Sequence, residues 1–165
     1  MLHEMTIVSV SIDPQTNSPI VVLKSMKDGQ SLLIWIGALE AGSIVYALQG
    51  MEFERPLTHD LFKIFLERTA FRVTKMEICD LENNTFFAKL YFESGDTEFI
   101  LDARPSDAMA LAIRFNAPIF AEERVIVKSK QGPEPLEVMD ESEEGKKWAE
   151  FLETLSNDDF GKYKI

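Results

Sequence analysis

Three short stretches of the chain gather the residue types that move protons, hold cations or grip phosphate. In the first, Trp35-Ile36-Gly37, an apolar run ends on a glycine, and the carboxylate of Glu40 follows three residues later. The second, Arg55-Pro56-Leu57-Thr58-His59-Asp60, holds a guanidinium, a hydroxyl, an imidazole and a carboxylate in close succession. The third, Asp102-Ala103-Arg104-Pro105-Ser106-Asp107, sets two carboxylates about an arginine. Each lies where one element gives way to another, and such boundaries present polar groups to solvent while the scaffold fixes them.

Every one of these residues also has a plain structural role open to it. Glu40, Asp60 and Asp107 in first helical turns would complement a helix dipole, and Thr58 and Ser106 would cap the helices they precede. Arg104 pairing with Asp102 or Asp107 would lock a corner. His59 is not explained by capping. At the positive end of a helix dipole the neutral ring is favoured, and a neutral imidazole can accept a proton or bind a metal; a surface histidine with no task is the competing reading. The helix start at Ser106 would attract an anion such as phosphate, although its carboxylates oppose this unless a cation sits between them.

The elements that must position these groups follow from the apolar pattern. Met5 to Ile12, Ile20 to Leu23 and Ser31 to Gly37 predict three strands of a meander, separated by Pro/Asn and Asp-Gly turns. Ala38 to Gln49 predicts a helix with Ala41, Ile44, Val45 and Leu48 inward and Gly50 as its stop. A second helix opens at Thr58, with Leu61, Phe62, Phe65 and Leu66 as its apolar stripe. Phe71 to Leu81, Phe86 to Glu93 and Glu98 to Asp102 predict a second antiparallel meander, and Asp107 to Phe115 a third helix. Val125 to Val127 suggests a short strand. Ser142 to Ser156 carries Trp148, Phe151, Leu152 and Leu155 at helical spacing, a terminal amphipathic helix. The order points to an α+β fold: a mixed, largely antiparallel sheet built from two strand-rich halves with helices packed on it.

At 165 residues the chain has the length of about one domain, which the composition divides into a body of 1–130 and an extension of 131–165. Lys plus Arg number 17 against 28 Asp plus Glu, a net charge of −11, and Pro133 to Ile165 alone holds 10 acidic against 4 basic residues. So acidic a surface disfavours tight nonspecific binding of nucleic acid. No window approaches the ~20 apolar residues of a membrane span. Met1-Leu2-His3-Glu4 lacks a basic and then apolar leader, so a cytoplasmic location is expected. A single cysteine, Cys79, rules out an internal disulfide and reads as a buried inert thiol. The familiar nucleotide, hydrolase and zinc motifs are absent from the sequence, and the twelve phenylalanines read as core.

Together, IWIGALEAGSI from Ile34, RPLTHDLF from Arg55 and DARPSDAMALAIRFNAPIF from Asp102 resemble the three motif stretches of the bifunctional nuclease domain family, in that family's order and approximate spacing. The resemblance covers about residues 5–128. It implies a compact α+β domain and, as for plant members, nuclease activity on RNA and DNA. Carried over position by position, the family's polar residues fall here on Glu40, Arg55, Thr58, His59, Asp60, Asp102, Arg104, Ser106 and Asp107. The chain departs from the pattern mainly in its acidic extension.

Phosphodiester hydrolysis requires an activated water, stabilisation of developing charge and protonation of the leaving oxygen. His3 and His59 are the only imidazoles, and His3 is expected in a loose terminus, so a metal route is preferred to a two-histidine mechanism. Mg²⁺ or Mn²⁺ held by two or more of Glu40, Asp60, Asp102 and Asp107 would lower the pKa of a bound water. His59, Asp60, Asp102, Arg104 and Asp107 are then the catalytic set, with Arg55, Thr58 and Ser106 on the RNA or DNA substrate. The alternative is a noncatalytic binding or oligomerisation module whose corners only hold turns. Whether Lys63, Arg68, Arg72, Lys75 and Lys89 cluster would discriminate the two. The terminal apolar helix and exposed sheet edges suggest a homodimer.

Overall fold

A computed structural model of the chain describes residues 1–131. The predicted helix at Ser142–Ser156 lies outside them. Among the described residues the chain runs β1 (Leu2–Ile12), β2 (Pro19–Ser25), β3 (Ser31–Trp35), α1 (Ala38–Leu48), α2 (Thr58–Arg68), β4 (Arg72–Glu82), β5 (Thr85–Ser94), β6 (Thr97–Ala103), α3 (Pro105–Arg114), β7 (Ile119–Glu122) and α4 (Glu123–Gln131). The seven strands form one open sheet in the order β3-β2-β1-β7-β4-β5-β6, so the fold is α+β.

Each meander is set by local chemistry. Asn83 and Asn84 both take positive φ, 48° and 60°, the backbone of a two-residue hairpin turn that pins Glu82 opposite Thr85. What joins the meanders is β7. It pairs antiparallel with β1, Met5 opposite Ile119, and parallel with β4, Met76 opposite Ile119. A strand of four residues thereby pairs the two inner edges, β1 and β4, and leaves β3 and β6 outermost. The connection from edge strand β6 back to the centre is α3, which packs on β4 and β5 while α1 and α2 pack on it. The core between helices and sheet holds Ile44, Met76, Ile78, Ala88, Leu90, Phe92, Met109 and Leu111 in one cluster.

Several expectations are corrected by this arrangement. The first strand starts at Leu2 rather than Met5, because Leu2 to Met5 pair with β7. His3 is therefore buried, not loose: Nδ1 lies 3.3 Å from Ser25 Oγ, and Nε2 lacks a hydrogen-bond partner. Val125 belongs to α4, a helix; Val125 and Ile126 complete the core, and the expected short strand is Ile119–Glu122 instead. Leu48 is exposed while Ser43, a polar residue, is buried on α1. Of the stripe foreseen on α2 only Leu66 is buried, with Phe62 packed against the core; Leu61 and Phe65 face outward. Cys79 is buried as expected, and burial pushes its thiol pKa up. No helix among the described residues is long and apolar enough to cross a membrane.

Ile78 is fully buried on β4, whereas Ile100 on edge strand β6 is 53% exposed. Ile78→Ala should cost about 2–5 kcal/mol, since it removes buried methyl groups and leaves a cavity. Ile100→Ala should stay within about 0.5 kcal/mol. Urea unfolding with an unchanged m-value checks both.

Candidate functional site

The amino-terminal halves of α1, α2 and α3 meet at one corner of the helical layer, joined by a chain of hydrogen bonds. Ser43, buried on α1, places its Oγ 2.8 Å from His59 Nδ1, and His59 Nε2 lies 2.9 Å from Asp107 Oδ1. His59 is the second residue of α2 and Asp107 the third of α3. An ionised carboxylate only accepts, so Nε2–H donates to Asp107, and the neutral ring then accepts from the Ser43 hydroxyl at Nδ1. The second oxygen of Asp107 accepts from Arg104 Nε at 2.7 Å, and Arg104 continues to Glu40 at 2.9 Å. The chain thus begins at a buried serine and ends on a guanidinium that is 66% exposed.

Gly37 explains how Glu40 reaches this place. It is the N-cap of α1, with extended backbone, and Glu40 folds back over it: a Cβ on Gly37 would collide with Glu40 Oε2. The glycine thereby leaves room for the carboxylate that faces Arg104.

Beside this chain runs a second, more buried one. Arg114, 7% exposed, donates from Nε to Asp60 Oδ1 at 2.6 Å and from a terminal nitrogen to the carbonyls of Ser43 (3.2 Å) and Ala110 (2.9 Å). Asp60 Oδ2 accepts from the Leu57 backbone N–H at 3.0 Å, which closes the start of α2. The same arginine therefore braces the backbone at Ser43 and the carboxylate next to His59.

Burial pushes the Asp107 carboxyl up, but the hydrogen bonds from Arg104 and His59 outweigh it and hold the pKa below its ordinary value. Asp60 behaves alike: burial raises it, and Arg114 with the Leu57 N–H lowers it further. Asp107 in turn raises the pKa of Arg104.

Of the residues singled out from the sequence, Glu40, His59, Asp60, Arg104 and Asp107 come together here. Asp102 does not. It stands opposite Lys89 in the β5–β6 ladder, and because Ala88 and Leu90 face the helices, Lys89 and Asp102 face away from them. Thr58 is the first residue of α2 and not its cap, a place taken by Leu57, and Ser106 is a buried second residue of α3, whose N-cap is Arg104. Arg55 is exposed ahead of α2. Ser43 and Arg114 were not foreseen, although each carries a periodic signal: Ser43 lies three residues after Glu40, and Arg114 seven after Asp107, spacings that return to the same helical face.

The carboxylates do not fit the expected Mg²⁺ or Mn²⁺ in this arrangement. Both oxygens of Asp60 and of Asp107 already accept hydrogen bonds, Arg104 stands between Glu40 and Asp107, and Asp102 lies on the other sheet face. Among the described residues no group of three or more His, Cys, Asp or Glu could hold a metal ion. Nor do the basic residues form a groove. Lys63 pairs with Glu67 and Arg72 with Glu93, while Lys75 pairs with Glu77 on the sheet face that Lys89 shares.

Comparison with known proteins adds the context of relatives. Residues 21–134 match the model of the bifunctional nuclease domain. An uncharacterized protein of Mycobacterium tuberculosis (strain H37Rv) is 34% identical over 96% of this chain and 98% of its own length. Bifunctional nuclease 1 of Oryza sativa subsp. japonica is 33% identical over 64% of this chain, and bifunctional nuclease 2 of Arabidopsis thaliana 32% over 60%. The matched region makes up 33% and 31% of those two plant proteins.

Asp60→Asn should destabilise the fold by about 1–3 kcal/mol, because Arg114 keeps its charge in a nearly buried position and loses its charged partner. The folded pKa of Asp60 lies below its ordinary 3.8, so its stabilisation is present above that value and is lost as pH falls through the folded pKa. Thermal unfolding between pH 7 and pH 2 should therefore show a smaller acid loss in the Asn variant than in the wild type.

Proposed function

Because the chain belongs to the bifunctional nuclease domain family, we propose that it hydrolyses phosphodiester bonds in RNA, DNA or both at the Arg104–Asp107–His59 corner. The observation that carries this reading is the hydrogen-bonded chain itself: a half-buried His59, anchored on the buried Ser43, holds Asp107, and Asp107 holds an exposed guanidinium. An exposed arginine with two of its N–H groups on carboxylates can exchange them for the oxygens of a phosphate, which it grips in the same bidentate manner.

That exchange has a chemical consequence. The Arg104 hydrogen bond helps to keep the Asp107 carboxyl acidic, so a phosphate that takes Arg104 makes Asp107 a stronger base and uncovers its Oδ2. Asp107, held in orientation by His59 Nε2–H, then accepts the proton of an attacking water; the new P–O bond forms as the P–O bond to the leaving oxygen breaks, that oxygen takes its proton from solvent, and Arg104 carries the charge developing on the phosphate oxygens. Ser43 and Arg114 act as positioning residues, one on the ring and the other on the backbone beneath it. Apart from the solvent proton, each step is assigned to the chain's own residues, and none passes through a metal.

A second reading has its own support. Every carboxylate of the corner is satisfied internally, and the basic residues are dispersed on an acidic chain, as a noncatalytic binding module would also have it. Hydrolysis of fluorescent single-stranded RNA and DNA, assayed in Mg²⁺, in Mn²⁺ and in EDTA, separates the two. Arg104→Ala should lose about 10²–10³ in kcat/KM, and Asp107→Asn about 10²–10⁴, each with its circular dichroism spectrum retained. Absence of turnover under every condition, or turnover that neither substitution alters, would leave the binding module as the better account.

A further inference from the structure

The helix that carries His59 and Asp60 on its inner side has a second apolar stripe that the body leaves uncovered. Leu57, Leu61, Ile64 and Phe65 follow one another at the i, i+4, i+7, i+8 spacing of a single helical face. Leu61 is 58% exposed and Phe65 59%, with Leu57 and Ile64 exposed beside them; Met51 and Phe53, in the segment that precedes the helix, are exposed as well. A run of large apolar side chains at solvent marks an interaction surface, whereas single ones do not.

We propose that this face of α2 is a dimer interface, and that its occupant is the same face of a second copy of the chain, packed antiparallel about a two-fold axis near Leu61. Charge complementarity selects this partner. The segment that leads into the stripe is acidic, with Glu52 and Glu54, and the end of the stripe is basic, where Arg68 lies in line with Leu57, Leu61 and Ile64. Among the described residues none of these three charges is paired with another. Antiparallel packing sets Leu57 against Phe65 of the partner subunit's α2, Leu61 against its own counterpart, and Arg68 against the acidic start of the partner's helix. Both ends are satisfied by one operation, as an isologous interface demands, and the two helix dipoles oppose. A strand of nucleic acid is a poorer occupant, because Glu52 and Glu54 precede the stripe, Glu67 flanks it and its aliphatic members offer no stacking face.

The interface does not depend on turnover at Arg104. It does place the partner helix on the outer side of α2 while His59 and Asp60 hold its inner side, so assembly would brace the helix that bears them.

Sedimentation velocity of the full chain over a concentration series tests the proposal. The wild type should show a monomer–dimer equilibrium. Leu61→Ala should weaken the dimer about tenfold or more, and Leu61→Glu should abolish it, with thermal unfolding unchanged when compared at a concentration where the wild type is monomeric, because the side chain of the monomer lies mostly in solvent. Glu54→Arg and Arg68→Glu should each weaken the dimer, and the double variant should restore it, a rescue that requires the two residues to meet across the axis. A chain that is monomeric at all concentrations, a dimer indifferent to both Leu61 substitutions, or a double charge variant no better than the singles would each overturn the assignment.

Discussion

The four-residue strand β7 is the constraint on which the remainder of the architecture rests. Two antiparallel meanders have four edges, and backbone N–H and C=O groups on an edge must find partners or remain in water. Inserting β7 between β1 and β4 pairs the two central edges at once and leaves β3 and β6 outermost. Its position obliges the chain to return from β6 at one edge to the middle of the sheet, and α3 is that return. Because α3 must cross β4 and β5, its apolar face is buried along almost its whole length, from Ala108 to Ala112. Its start, Arg104 to Asp107, is delivered to the place where α1 and α2 begin. The corner with the chemistry is thus a consequence of how the sheet is closed.

Two arginines at that corner show how burial divides labour between like side chains. Arg114 is almost fully buried, and a charge there costs several kcal/mol unless it is paired and its N–H groups are bonded. Asp60 and the carbonyls of Ser43 and Ala110 meet that demand, so Arg114 is committed to the fold. Arg104 lies mostly in water, where an ion pair contributes little. Its bonds to Glu40 and Asp107 can be exchanged for another anion at small cost. The physical distinction between a structural and an available guanidinium is therefore accessibility, and residue type alone does not reveal it.

What could be read from the sequence was what is local. Turns with Asn-Asn or Gly, strands that alternate and helices with a periodic apolar face depend on neighbours within a few residues, and six of the seven strands and three of the four described helices were foreseen. The misses share a cause. The short β7 and the first residues of β1 become strands only through each other, and His3 is buried for the same reason. Val125 was read as strand because its short apolar run has no period of its own, whereas the core beneath it makes it helical. At the site the grouping of Glu40, His59, Asp60, Arg104 and Asp107 was legible, yet Asp102 was misplaced: one residue along a strand exchanges the sheet's faces, so Ala103 faces the helices and Asp102 does not. Thr58 and Ser106 looked like caps by type; Leu57 takes the cap of α2, closed by the Asp60 carboxylate on its N–H, and Pro105 shifts the start of α3 ahead of Ser106. Proline restrains the residue before it to extended backbone, and in α3 that residue, Arg104, becomes the N-cap.

The apolar pattern of α2 shows why such a reading has to be settled by packing. Leu61, Phe62, Phe65 and Leu66 were grouped as one stripe, although on a helical wheel Leu61 lies about 100° from Phe62 and about 140° from Leu66, and Phe65, which stacks on Phe62, lies about 100° from Leu66. The helix has two apolar sides, and a body with a single layer of helices can cover only one. Phe62 and Leu66 take that side because His59, in register with them, must reach Ser43 and Asp107, and an imidazole with both nitrogens bonded tolerates no rotation of the helix that carries it. The polar chain at the corner thereby decides which apolar face of α2 is buried, and Leu61 and Phe65 are left at the surface by the same geometry that holds His59 in place.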